Sequence, residues 1–124
     1  MEHIISLYLL LMFLQILHIF EEIGLEAYKV AGGLGKYLGV ASILVAVNFL
    51  ALFLMVQGLT LGYILALFGA VLGIGNGIIH VVGYFKSRSV RGTVGAGVFT
   101  GIPFALVGTI VLVQLVQILW NSMP

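Results

Sequence analysis

The chain contains no cysteine, which excludes disulfides and thiolate metal sites at once. It contains no aspartate either, so any metal must be held by His, Glu, Asn, Gln, hydroxyl groups or backbone. Charged residues make up only 7% of it, far below the roughly 25% of a soluble domain. The formal net charge of +1 gives no reason to expect a nucleic-acid partner. What remains is apolar: 62% of the 124 residues are hydrophobic. One membrane domain, 1–124, accounts for that length. Any chemistry must then be done within the bilayer or at its edge. Met1-Glu2-His3 lacks the positive region of a secretory signal peptide. The charged pair Glu21-Glu22 stands where a cleavage site would be, so the first segment reads as a retained transmembrane helix.

Four apolar segments, near 4–23, 38–57, 61–84 and 97–120, are long enough to cross a bilayer, which takes about 20 residues. Backbone groups in lipid must be satisfied internally, so these segments are helices. The predicted fold is an all-α integral membrane protein, a compact four-transmembrane-helix bundle. Gly58-Leu59-Thr60 makes a tight hairpin between the second and third helices. The first connection carries Glu26, Lys29 and Lys36 and predicts a short interfacial helix broken at its glycines. The third is basic, with Lys86, Arg88 and Arg91, and with Tyr84 it is suited to anionic headgroups. All five Lys and Arg residues lie in these two connections. The positive-inside rule therefore predicts that they are cytoplasmic and that both termini are on the non-cytoplasmic side. The expected location is the cytoplasmic membrane of a prokaryote. Gly69, Gly73 and Gly77 form a small-xxx-small ridge that predicts a close helix–helix seam. The pairs Gly58/Gly62 and Gly97/Gly101 share that spacing, but read as ordinary membrane-helix glycines.

Ionisable groups inside lipid are costly and mark a functional site by default. His18, Glu21 and Glu22 fall at i, i+3 and i+4, on one helix face. Asn76 and His80 share a face of the third helix, with Tyr84 one turn further on. Counted from their helix ends, both histidines lie roughly 6–8 Å inside the same interface. Asn48 lies deeper and could close the far wall, and Gln15 is one turn before His18. Gln114 and Gln117 are weaker candidates. Two imidazoles and two carboxylates suit zinc, iron or manganese. The ligand candidates are His18, Glu21, Glu22 and His80, with Glu21 and Glu22 also the candidate catalytic carboxylates. Asn76, Asn48, Gln15 and Tyr84 would support them. Two histidines could instead ligate a haem, which no further feature supports. Each residue also has a plainer role: Glu22 solvated at the interface, His18 in a structural ion pair, Asn76 and His80 as interhelical hydrogen bonds.

His18-Ile19-Phe20-Glu21-Glu22 resembles the signature of the HXXEE-domain membrane proteins. Asn76-Gly77-Ile78-Ile79-His80 resembles that family's downstream Asn-x-x-x-His. The stretch from Arg91-Gly92-Thr93 to Gly101-Ile102-Pro103 resembles its later turn and proline-bearing helix. Where relatives have Tyr-x-Pro-Gly, this chain has Ser89-Val90-Arg91-Gly92, without the proline. The resemblance implies a compact multi-helix membrane protein and no settled activity.

Three functions compete. The first is a membrane-embedded, metal-dependent enzyme acting by hydrolysis or oxidation on a lipidic or small hydrophobic substrate. The second is a proton-coupled transporter similar to the small multidrug resistance proteins, although here the acidic pair sits near a helix end and two histidines accompany it. The third is a structural subunit with a buried polar lock. The small size predicts a homo-oligomer or a membrane partner in each case.

Overall fold

The computed structural model describes residues 2–122. Four helices follow one another: α1 (Glu2–Gly24), α2 (Leu34–Val56), α3 (Thr60–Ser87) and α4 (Val98–Asn121). Each is long and apolar enough to cross a membrane, and no strand occurs among the described residues. A four-helix, multi-pass architecture is what these elements suggest.

The boundaries follow from backbone chemistry. Gly33 at φ +107° opens α2, Gly58 at φ +71° turns the α2–α3 hairpin, and Gly97 at φ +94° leads into α4. Glycine adopts these angles without a Cβ clash. Arg88, left-handed at φ 53°, ends α3. α2 starts at Leu34, directly after Gly33 and earlier than the expected 38, so that Gly35 and Gly39 lie within the helix. The first connection shortens accordingly. The interfacial helix expected there is only a single 3-10 turn, Ala27–Lys29.

The core joins Tyr8 and Leu11 of α1, Ala51 and Met55 of α2, Ala66 and Ala70 of α3, and Phe104, Val111 and Leu115 of α4. Large apolar side chains such as Phe13, Phe53, Phe68 and Trp120 face outward, the pattern expected where the surrounding solvent is lipid. The expected glycine ridge is in close contact along its length. Gly73 lies under the Phe104 ring, and Gly77 meets α4 so closely that a Cβ there would come 2.5 Å from Ala105 Cβ. Gly69 faces Asn48 and the Tyr8 hydroxyl. The two other pairs are more than ordinary helix glycines. Gly62 is pressed on the backbone of Leu54 and Met55, and Gly101 faces Gly77.

α2 is the exception to this packing. It is buried only at Asn48, Ala51 and Met55, all in its second half. Its first half stands largely uncovered, and a cavity of about 560 Å³ opens between it, α1 and α3.

Candidate metal centre

His18 and Glu22 project from one face of α1, one turn apart, toward His80 on α3. His80 Nε2 lies 3.1 Å from Glu22 Oε1, and His18 Nε2 lies 3.7 Å from Glu22 Oε2. The imidazoles meet edge to face with centroids 4.8 Å apart. His18 is 1% exposed, His80 5% and Glu22 9%, so the cluster is shielded despite its charge. The solvated alternative for Glu22 thus does not describe its position. The agreement in depth between the two histidines has become direct contact.

The outer nitrogens of both rings are already committed. His80 Nδ1 is 2.6 Å from the Val94 carbonyl, which can only accept. That ring therefore carries a proton on Nδ1, while its Nε2 faces a second acceptor, the Glu22 carboxylate, to which it can also donate. His18 Nδ1 is 2.9 Å from Thr100 Oγ1, and the Thr100 hydroxyl donates to Glu21 Oε2. With its hydrogen used on Glu21, Thr100 accepts from His18 Nδ1. His18 Nε2 is then left as a bare lone pair. It is also a buried side-chain polar atom with no hydrogen-bond partner among the described residues. Two imidazoles oriented through Nδ1–H, with both Nε2 atoms facing one carboxylate, is how metal-ligating histidines are held.

Glu21 goes elsewhere. The first turn of α4 lacks a side-chain cap of its own. Glu21 supplies one from α1. It accepts the backbone N–H of Phe99 at 3.1 Å and of Thr100 at 2.7 Å, besides the Thr100 hydroxyl. Helix N-termini present unpaired N–H groups and a partial positive charge, which a carboxylate satisfies. Glu21, expected as a ligand, is therefore drawn off the shared centre and reaches it only through Thr100.

The other expected residues divide. Gln15 lines the cavity and accepts from Asn48 Nδ2 at 2.9 Å, while Asn48 accepts from the Tyr8 hydroxyl at 2.5 Å. Asn48 thus braces Gln15 from behind and lines no wall itself. Asn76 is half-buried and lines the cavity. Tyr84 is exposed and packs on Phe85 outside the centre. Gln114 lies 3.4 Å from His3 near the opposite end of the bundle, and Gln117 is exposed.

Four contributors escaped the sequence reading. Tyr37 donates to Glu22 Oε2 at 2.6 Å, Thr100 receives His18, and Val94 receives His80. Gly97 is the fourth. A Cβ there would sit 2.7 Å from His18 Cε1, so only glycine gives both its φ and this closeness. Its place just before α4 was the one usable signal. Nothing in local spacing marks Tyr37, Thr100 or Val94.

Above the centre the two connections are clasped together. Glu26 pairs with Lys29 at 2.7 Å and Arg91 at 3.2 Å, and the Gly92 N–H donates to the Leu25 carbonyl at 2.7 Å. The hydrogen bonds from Lys29 and then Arg91 hold the Glu26 carboxyl below its ordinary range. This clasp keeps the loop bearing Val94 over His80.

Ligand atoms on a tetrahedral ion with bonds of about 2.0–2.2 Å are roughly 3.3–3.6 Å apart. The 3.1 and 3.7 Å separations run to different oxygens of Glu22; taking one ligand atom from each residue, all three lie within 4.8 Å of one another. A closure of about 1 Å would complete the fit. His18, Glu22 and His80 can therefore hold a metal ion. Neither a family model, nor a curated protein, nor a solved structure matches the chain.

Proposed function

We propose that this chain is a multi-pass membrane protein whose first and third connections face the cytoplasm, and that it is a metal-dependent enzyme acting on a lipidic or small hydrophobic substrate. His18, Glu22 and His80 hold one divalent ion, zinc, iron or manganese. The observation that carries this reading is the buried, unpartnered His18 Nε2 beside Glu22. Leaving such an atom unpaired costs about 1–3 kcal/mol. A metal bond removes that cost. Of the residues that resemble the HXXEE signature, this reading uses His18 and Glu22 as ligands, while Glu21 caps α4.

Three protein ligands with an open position are typical of catalytic sites, whereas structural sites use four. The cavity that His18, Glu22, Tyr37 and Asn76 line would give a substrate access to an ion held there. A divalent ion there would act as a Lewis acid toward an ester or amide carbonyl. Tyr37 holds Glu22 in place, and Thr100 and Val94 hold the imidazoles. Asn76 offers an amide to the substrate.

One observation favours a different reading. The 3.1 Å contact between His80 and Glu22 also suits an ion pair serving as a buried structural lock. Elemental analysis of detergent-purified protein separates the two. The enzyme reading expects about one divalent ion per chain, lost in His80→Ala. A chain that takes up no zinc, manganese or ferrous iron, with His80→Ala altering only thermal stability, would leave the lock standing and sink the enzyme.

A further inference from the structure

The cavity beside the centre has a graded chemistry along α2. Lys36 lines it two residues into the helix, and its neighbour Tyr37 is bonded to Glu22. Below them come Gly39, Val40, Ile43 and Leu44, all lining the same space. At about 1.5 Å per residue, the wall from Lys36 to Leu44 descends roughly 12 Å. Along this wall the order is a cation at the rim, Tyr37 next to it, and hydrocarbon below, while Gln15 and Asn76 line the cavity from α1 and α3. An acylated lipid standing in one leaflet has the same order: charged head, carbonyl region, chain.

Four observations say what fits there. The cavity's volume of about 560 Å³ falls within the roughly 300–1,000 Å³ of small-molecule sites. Lys36 pairs with no carboxylate among the described residues, whereas Lys29 and Arg91 share Glu26. Asn76 lines the cavity, and its amide takes no part in the side-chain hydrogen bonds seen among the described residues. A polar amide at lipid depth is expected to find a partner. The apolar wall is equally unpartnered: Val40 is 59% and Ile43 65% exposed.

Building on the enzyme reading, we propose that the cavity binds a single-chain anionic amphiphile, an acyl chain bearing a phosphate or carboxylate head. The head pairs with Lys36, the adjoining carbonyl reaches Asn76 and the His18–Glu22 edge, and the chain lies along Gly39, Val40, Ile43 and Leu44. Such a lipid slides in sideways from the leaflet, so its head never leaves the interface.

Gly39 allows a clean test. A Cβ at this helical position meets nothing within 4 Å, so a larger side chain fits the fold and fills the cavity. The full chain, purified in neutral detergent, is titrated with oleoyl lysophosphatidate and with neutral monooleoylglycerol, and binding is read by native mass spectrometry. One lysophosphatidate per chain is expected to bind, more tightly than the neutral lipid. Gly39→Leu should weaken it at least tenfold, and Ile43→Trp should do so independently. Lys36→Gln should reduce lysophosphatidate binding to the level of the neutral lipid. Zinc content is measured on the same samples and should be unchanged in all three variants. Wild-type affinity in both Gly39→Leu and Ile43→Trp overturns the proposal, as does equal binding of the two lipids by wild type. A chain that binds the lipid in this variant-sensitive way but takes up no metal supports the lipid site and overturns the enzyme reading alone. Metal uptake without lipid binding overturns the lipid site alone.

Discussion

Replacing Thr100 by valine tests the centre without touching any of its three ligands. Valine keeps the shape and removes the hydroxyl that accepts from His18 Nδ1 at 2.9 Å and donates to Glu21. Glu21 keeps its bonds from the Phe99 and Thr100 backbone N–H groups, so the α4 cap survives. What is lost is the group that fixes which nitrogen of His18 is bare. Outer partners of ligating histidines typically contribute 10–100-fold in metal affinity. That corresponds to about 1.4–2.8 kcal/mol. It matches the roughly 1–3 kcal/mol expected when a buried N–H loses its acceptor. The assay is competition for zinc against a chromophoric chelator, with thermal unfolding followed in parallel. Thr100→Val should bind zinc at least tenfold more weakly, and Thr100→Ser should restore most of the affinity. If Thr100→Val holds zinc within twofold of wild type, the reasoning about His18's orientation is wrong.

Other perturbations probe the frame around the centre. Gly97→Ala would place a Cβ 2.7 Å from His18 Cε1 at φ +94°, so it should both lower the unfolding temperature and abolish stoichiometric zinc uptake. At Gly77 a new Cβ would meet the Gly101 carbonyl oxygen at 2.5 Å, and backbone cannot step aside. Gly77→Leu should therefore cost at least the roughly 1–3 kcal/mol of an overpacked core, read as a lower unfolding temperature in detergent. The Glu26 clasp should respond to pH with a definite sign. Its carboxyl is held below the ordinary range by Lys29 and Arg91, so its contribution is present above the unfolded-chain value and is lost as pH falls through the lowered one. Hydrogen exchange in residues 88–95 should speed up on acidification or on adding salt, and Glu26→Gln should remove that dependence.

Much of this protein is legible along the chain. Four apolar runs mark four helices, because hydropathy over about 20 residues and the need to satisfy backbone groups leave no other regular structure. Helical periodicity puts His18 and Glu22 on one face, and the glycine spacing of α3 marks a close seam. All of these are local properties, decided by neighbours within a turn or two. The partnership of His18 with His80 was foreseeable only as an agreement in depth. Contact between them depends on how α1, α3 and α4 pack. The same packing decided the fate of Glu21, which spacing makes equivalent to Glu22. The unpaired N–H groups of α4 sit against its side of α1, and they take its carboxylate. Tyr37, Thr100 and Val94 come from three other parts of the chain and carry no periodic mark. They belong to the centre only because the folded chain brings their hydroxyls and carbonyl to Glu22, His18 Nδ1 and His80 Nδ1. The sequence by itself determined the helices and the polar residues within them. The tertiary structure decided which of those residues meet, because burial in an apolar bundle favours pairing of polar atoms with whatever partner the packing brings within reach, and among the described residues His18 Nε2 stands out as the atom it leaves without one.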